Sequence, residues 1–348
     1  MKNLKYGIGI DVSMQKFDVC LSVINEEQRV SILSTHSFDN SATGFKSFLQ
    51  WVEKHCKEPL ASVFLMEATG VYYEQLAWLL YQKDKNVIIV LPNKARKYKE
   101  SLGLKSKTDS IDAKGLAQMA CEQYLKSWKP VSKNIYQLRL ITRQIERVSQ
   151  HITQFKAQLH ALVLGMFRDK VIEKMVEKNI ELLEKQKAKL EEKIQAIIDA
   201  DAILKERFEQ ICKIKGVGTL TLAVIVAETD GFALIENQAQ LVSYAGYDVI
   251  SNQSGTHIGK TRISKKGNSH IRRALHMPAL NMVRYQQRPF AQLYERVFAT
   301  TKVKMKAYTA IQKKLLVIIY ALWKKKEEYS PGYLLKTSKD EERALSFV

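Results

Sequence analysis

Cysteine is scarce: 348 residues contain four, Cys20, Cys56, Cys121 and Cys212, with no Cys-x-x-Cys pair. That spacing excludes a disulfide framework and reads as reduced core thiols of an intracellular, cytoplasmic protein. The seven histidines show no metal-ligand spacing, which argues against a zinc site. Long apolar runs are missing as well. The longest, Leu315 to Trp323, falls far short of the roughly 18 residues that a membrane helix needs, and the N-terminus carries no apolar signal segment, so no membrane partner is expected. Acidic residues are in deficit, with 36 Asp and Glu against 55 Lys and Arg and a net charge of +19. Such an excess predicts a polyanionic partner, because each cation placed on a phosphate releases condensed counterions. What the chain does have is 46% apolar residues, ample for the cores of the roughly two to three domains this length suggests.

The first stretch of note is Tyr6-Gly7-Ile8-Gly9-Ile10-Asp11-Val12-Ser13, an apolar run that ends in a carboxylate, followed by a second apolar run, Phe17 to Ile24. Two β-prone runs with a tight connection predict a hairpin. Asp11 then falls in the middle of a sheet, where an unneutralised charge is costly. It either caps the turn or has a cation to hold. Arg29 to Ser34 predicts a third strand, and Phe45, Phe48, Leu49 and Val52 a helix capped by Asn40 or Ser41. Ser62 to Met66 is a short buried strand that again ends in a carboxylate, Glu67; a helix from Val71 to Gln82 and a fifth strand from Asn86 to Leu91 follow. This order predicts an α/β domain over residues 1–128, a mixed sheet with helices on its faces.

After Pro92 comes a basic stretch with Lys94, Arg96, Lys97, Lys99, Lys105 and Lys107, which suits a nucleic-acid backbone or, more plainly, a solvated face. Thr108-Asp109-Ser110-Ile111-Asp112 then opens a helix to about Gln123, with Asp109 and Asp112 on one helical face. Alone, that pair is a capped first turn suited to the helix dipole. Together with Asp11 and Glu67 it makes four carboxylates that can converge, and four such groups cannot share a site as free anions. Oxygen-only ligands suit Mg²⁺ or Mn²⁺. Two such ions would stabilise both the attacking and the leaving oxygen of a phosphodiester displacement.

The middle of the chain, residues 133–203, carries Leu138, Ile141, Ile145, Val148, Ile152, Phe155, Leu159 and Leu162 in alternating steps of three and four, an a/d seam. Gly165 interrupts it, and Ile172, Val176, Ile180, Leu183, Leu190, Ile194 and Ile197 form a second stripe. An antiparallel hairpin within one chain and a coiled coil between chains both fit. The functional reading is dimerisation, in a dimer or tetramer.

Residues 204–328 read as a mainly helical domain and 329–348 as a tail. Ile211 to Ala223 contains Gly216-Val217-Gly218 between two apolar helical stretches, the form of a helix-hairpin-helix, whose second helix start can hold a phosphate. An ordinary turn between helices fits as well. From Leu241 follows a glycine-rich, cationic loop with Lys260, Arg262, Lys265, Lys266, Arg272 and Arg273, able to follow a phosphate backbone closely. From spacing alone, its Ser254, before Gly255, is a turn serine.

The words Gly-Ile-Asp-Val-Ser, Met-Glu-Ala-Thr-Gly-Val-Tyr and Lys-Thr-Asp-Ser-Ile-Asp-Ala, and later Gly-Val-Gly, Tyr-Ala-Gly, Ser-Gly and Arg-Ile-Ser-Lys-Lys-Gly-Asn in order, resemble the DEDD transposases of the insertion-sequence-110 family. The resemblance implies a RuvC-like, ribonuclease H-type fold for the first domain, with metal held by Asp11, Glu67, Asp109 and Asp112. It implies that Ser254 is the nucleophile that becomes linked to cleaved DNA; Ser251 stands three residues away, and Tyr-Ala-Gly-Tyr-Asp-Val departs from the usual Tyr-Ala-Gly-Leu-x-Pro, so both serines stay in view. It further implies guidance by a structured noncoding RNA of the element. The expected function is therefore a DNA transposase or recombinase that forms a phosphoserine linkage. The alternative is a RuvC-like metal-dependent endonuclease or junction resolvase in which water attacks. A non-enzymatic nucleic-acid scaffold would leave the acidic quartet without a purpose.

Overall fold

A computed structural model describes residues 2–68, 70–103, 109–233, 235–250, 253–254, 257–258 and 262–329, with the backbone alone at 109–110, 253–254 and 257–258. The chain divides into two compact units, Met1–Pro130 and Val131–Val348.

The first unit runs β1 (Asn3–Val12), β2 (Lys16–Asn25), β3 (Val30–Asp39), α1 (Ala42–His55), β4 (Ala61–Glu67), α2 (Glu74–Gln82), β5 (Asn86–Val90), α3 (Pro92–Ser101) and α4 (Asp109–Glu122). Its sheet has the order β3-β2-β1-β4-β5. The first three strands pair antiparallel, and β4 and β5 add in parallel on the other side of β1. This is the ribonuclease H-like mixed sheet expected from the sequence. Alternation along each strand divides the residues between two faces. Ile8, Ile10, Phe17, Leu21, Phe64 and Met66 share a core with Phe45 and Phe48 of α1 and Leu76 and Leu80 of α2. Each such fully buried side chain contributes roughly 1.5–3 kcal/mol. On the other face, Val63, Leu65 and Ile88 pack against Leu116, Met119 and Ala120 of α4.

Two boundaries differ from those expected. β3 continues past Ser34 to Asp39, because Phe38 stacks on Phe17 at 5.5 Å and meets Phe48 edge-on at 5.5 Å. α2 begins at Glu74, not Val71: Gly70 has φ +62°, and the Glu74 amide bonds to the Val71 carbonyl in a turn that precedes the helix.

The second unit opens with α5 (Lys133–Leu164) and α6 (Lys170–Asp199). Ser132 caps the first and Asp169 the second. The seam closes within the chain: Val148 and Ile152 of α5 pack with Val176 and Ile180 of α6. At the other end of the pair, Leu138, Ile141, Ile145, Ile194 and Ile198 enter a larger core with the remaining helices. These are α7 (Ala202–Ile211), α8 (Thr219–Glu228), α9 (Gln238–Ala245), α10 (Ser269–Ala274), α11 (His276–Arg284), α12 (Phe290–Thr301) and α13 (Lys304–Lys325). Between α9 and α10, the stretch expected to be irregular holds two short ladders. β6 (Val249–Ile250) pairs with β9 (Arg262–Ile263), and β7 (Gln253–Ser254) with β8 (His257–Ile258). Among the described residues, no helix is long and apolar enough to cross a membrane.

Candidate active site

The site in the first unit is built by two glycines and two strand ends. Gly7 and Gly9 lie on the face of β1 that α4 covers, and a β-carbon on Gly9 would stand 2.1 Å from the Ala117 amide nitrogen. Without side chains at these positions, the helix backbone settles directly on the strand. Asp11 is next on that face. Ile10 pairs with Met66 in parallel register, so the residues that follow, Asp11 and Glu67, finish side by side. Glu67 shares its face with Val63 and Leu65 and so points to the α4 side. Asp109 and Asp112 stand in the first turn of α4; the side chain of Asp109 lies outside the described residues.

A cation joins two of these groups. Lys99 of α3 sets its Nζ 2.7 Å from Asp112 Oδ1 and 3.6 Å from Glu67 Oε2. The sequence placed Lys99 only within a basic run; Ala95, buried, and Lys99 lie four apart on the face of α3 turned inward. A further acid went unnoticed. Asp18 stands directly across from Asp11 in the β1–β2 ladder, and Lys16 Nζ lies 3.2 Å from Asp18 Oδ2. Alternation on β2 was the available signal, since Asp18 shares a face with Cys20, which packs under Ala113 and Ala117. Beneath the helix, burial pushes the Cys121 thiol up to about 11, so it stays protonated and inert. Among the described residues, no group of three or more acidic, His or Cys side chains is arranged to hold a metal ion. The pair Glu67 and Asp112 nevertheless suits a hard cation: all-oxygen donors, half-sheltered, already sharing one positive charge.

Lys94, Arg96 and Lys97 are exposed on α3. Arg96 is engaged locally with Asn93 and Glu100. Lys105 and Lys107 lie outside the described residues.

In the second unit, Gly216 has φ +99° in the turn between α7 and α8, and Gly218 is the N-cap of α8. Gln287 Nε2 fixes that turn through the Lys215 carbonyl at 2.9 Å. Ser254 pairs with His257 in the β7–β8 ladder; its side chain, like Lys260 and Ser251 as a whole, lies outside the described residues. Arg262, Lys265 and Lys266 are exposed. Arg272 and Arg273 have internal partners. Arg272 Nη1 donates to the Ala245 carbonyl at 2.7 Å, which satisfies the end of α9. Arg273 pairs with Glu146 of α5, which also meets His270.

Beside these lies a network that the sequence did not reveal. Arg143 of α5 grips Glu228 of α8 through Nε at 2.7 Å and Nη2 at 3.0 Å, and Asn268 Nδ2 adds a bond at 2.6 Å. Burial alone would raise the Glu228 pKa, but these two donors hold the carboxyl below its ordinary value. Two carboxylates, Glu228 and Glu146, thus tie the start of α10 to α5 and α8.

Residues 8–168 match the DEDD transposases of IS110 type, and residues 209–295 match the transposase IS116/IS110/IS902 family. The chain is similar to the pilin gene-inverting protein of Moraxella bovis, 30% identical over 318 residues, covering 90% of this chain and 94% of that protein. It is similar also to the pilin gene-inverting protein of Moraxella lacunata, at 29% over 317 residues, with the same coverage. A solved structure, T. thermophilus RuvC in complex with a Holliday junction substrate, is similar over 32% of this chain and 89% of its own, at 12% identity and a TM-score of 0.25.

Proposed function

The chain belongs to the IS116/IS110/IS902 family of transposases and is a DNA recombinase, and on that premise we propose that it cuts and rejoins strands through a serine-linked intermediate assisted by metal ions. The observation that carries the metal half of this reading is the pair Glu67 and Asp112 gathered on one cation beside the strand end of Asp11. Asp11, Glu67, Asp109 and Asp112 would hold Mg²⁺ or Mn²⁺. Bound there, the ion supplies Lewis-acid stabilisation of charge on the phosphate oxygens.

The hydroxyl of Ser254 attacks the scissile phosphorus. The Oγ–P bond forms, the bond from phosphorus to the leaving strand breaks, and that strand departs with a proton as a free hydroxyl. A second strand's hydroxyl then displaces the serine. The energy of the broken bond is kept in the linkage, so rejoining needs no nucleotide. Lys94, Arg96, Lys97, Lys105 and Lys107 on one unit, and Gly216, Gly218, Lys260, Arg262, Lys265 and Lys266 on the other, serve phosphates; Arg272 and Arg273 brace the loop that carries them. The net charge of +19 serves a guide RNA as well as DNA, and the enzyme acts in the cytoplasm as a homo-oligomer. The relatives' name, pilin gene-inverting protein, supports a reaction that rejoins the strands it cuts.

The test is a Ser254→Ala protein incubated with target DNA, guide RNA and Mg²⁺. Loss of cleavage, together with loss of the protein–DNA adduct on a denaturing gel, is the expected result. Cleavage at full rate without adduct would instead assign the attack to water, as in a junction resolvase. An adduct that persists in Ser254→Ala and vanishes in Ser251→Ala would move the nucleophile to Ser251.

A further inference from the structure

We infer that Lys99 is a built-in counter-cation of the acidic site, which holds Glu67 and Asp112 together in the metal-free enzyme and has to leave before a divalent ion binds. The inference rests on the reading of those two carboxylates as metal ligands, and goes beyond it by giving the site an internal competitor.

Three observations support it. The lysine touches both carboxylates, at 2.7 Å and 3.6 Å, and the three side chains are equally sheltered, at 17%, 17% and 16% exposure. Its neighbours on α3, Lys94 and Lys97, are exposed, so the inward position sets Lys99 apart from them. The helix is seated to keep it there: Ala95 is buried, and Tyr98 donates to Glu122 of α4 at 2.5 Å.

The physical consequence is an exchange. Two half-buried carboxylates near one another repel, and one ammonium relieves that repulsion. A divalent ion held by the same two carboxylates would bring a second cation into this small oxygen cluster. An ammonium kept at hydrogen-bond distance from Asp112 would then stand within a few ångströms of that ion, and the two cations would repel. The four-carbon stem of lysine lets the head group swing out without moving the helix. Metal affinity is therefore set in part by the cost of displacing Lys99, a coupling on the order of tenfold.

The experiment titrates Mn²⁺ into the full chain, by calorimetry and by loss of the free-ion spin-resonance signal, for wild type, Lys99→Met and Asp112→Asn, with melting followed in chelator and in saturating Mn²⁺. Lys99→Met is expected to bind Mn²⁺ roughly tenfold tighter than wild type. It should melt lower than wild type in chelator and recover in Mn²⁺, while Asp112→Asn loses binding. Equal affinity in wild type and Lys99→Met would overturn the inference and leave the metal reading standing. No binding to either, with both folded by circular dichroism, would overturn both. Should Lys99→Met not fold, Lys99→Gln, which retains a donor for Asp112, is read by the same criteria.

Discussion

Gly9 of β1 lies directly beneath Ala113 of α4: a β-carbon on the glycine would stand 2.2 Å from the Ala113 carbonyl oxygen. The helix that carries Asp112 reaches the strand that carries Asp11 only because nothing projects there. Gly9→Ala would force backbone against backbone, with no flexible side chain to yield. It is expected to cost about 3 kcal/mol or more, read by denaturant unfolding of the full chain. DNA cleavage should fall with it, since a small shift in α4 moves Asp112 relative to Asp11.

Glu67→Gln and Asp112→Asn should each lower cleavage by roughly a hundred- to a thousandfold, the scale seen when one preorganised electrostatic contact is removed from a reacting centre. Binding of uncleaved DNA should hold within a few-fold, because the basic side chains proposed to carry the phosphate contacts are untouched. Gel-shift affinity beside single-turnover cleavage checks both halves. A parallel fall in binding would make the two carboxylates structural.

The sheet was legible because its strands announce themselves. Gly-Ile-Gly-Ile-Asp and Val-Phe-Leu-Met-Glu are apolar runs that each stop at a carboxylate, and β1 and β4 are neighbours in the sheet. Lys99 was not, since its inward turn depends on α3 seating against α4, a tertiary fact that no spacing within a basic run encodes. The α5–α6 seam shows a different limit. An a/d stripe specifies that an apolar edge is covered, not by which chain; here Val148 and Ile152 find Val176 and Ile180 in the same molecule. Arg143 and Glu228, 85 residues apart, had no local signal at all.

That pair makes a pH prediction. The folded enzyme holds Glu228 below its ordinary value, so near pH 4 the unfolded chain binds the proton more readily. The associated stability is fully present above the unfolded carboxylate's pKa and is lost as pH falls through the lower, folded one. Glu228→Gln is expected to cost about 2 kcal/mol at neutral pH, since it strands a half-buried Arg143. It should also flatten the fall in stability on acidification below pH ~4.5. Urea midpoints for both proteins between pH 7 and pH 3 measure it, and parallel curves would refute it.

Salt dependence separates cations that serve phosphates from those that serve the fold. Lys94→Ala and Lys97→Ala should each reduce the slope of log affinity against log salt by about 0.9 on duplex DNA. Arg272 caps α9 through the Ala245 carbonyl, so Arg272→Ala should lower the melting temperature. Its effect on the slope should be small, and an equal loss of slope from all three would place Arg272 on the nucleic acid.

The turn between α5 and α6 leaves apolar surface uncovered in one chain: Leu164 is 71% exposed, Met166 87% and Phe167 89%, with Val171 and Met175 beside them at 64% and 61%. Scattered exposed residues need no explanation, but several large apolar side chains exposed around one turn are what an interface covers. The local fold does not depend on it, for Arg168 grips Glu173 and Asp169 caps α6. Met166→Ser with Phe167→Ser should therefore keep helicity and melting unchanged while lowering the mass in light scattering toward that of one chain, 39.9 kDa. If the mass stays above one chain, the contact between copies lies elsewhere. A wild type that is already monomeric at physiological salt would count against assembly.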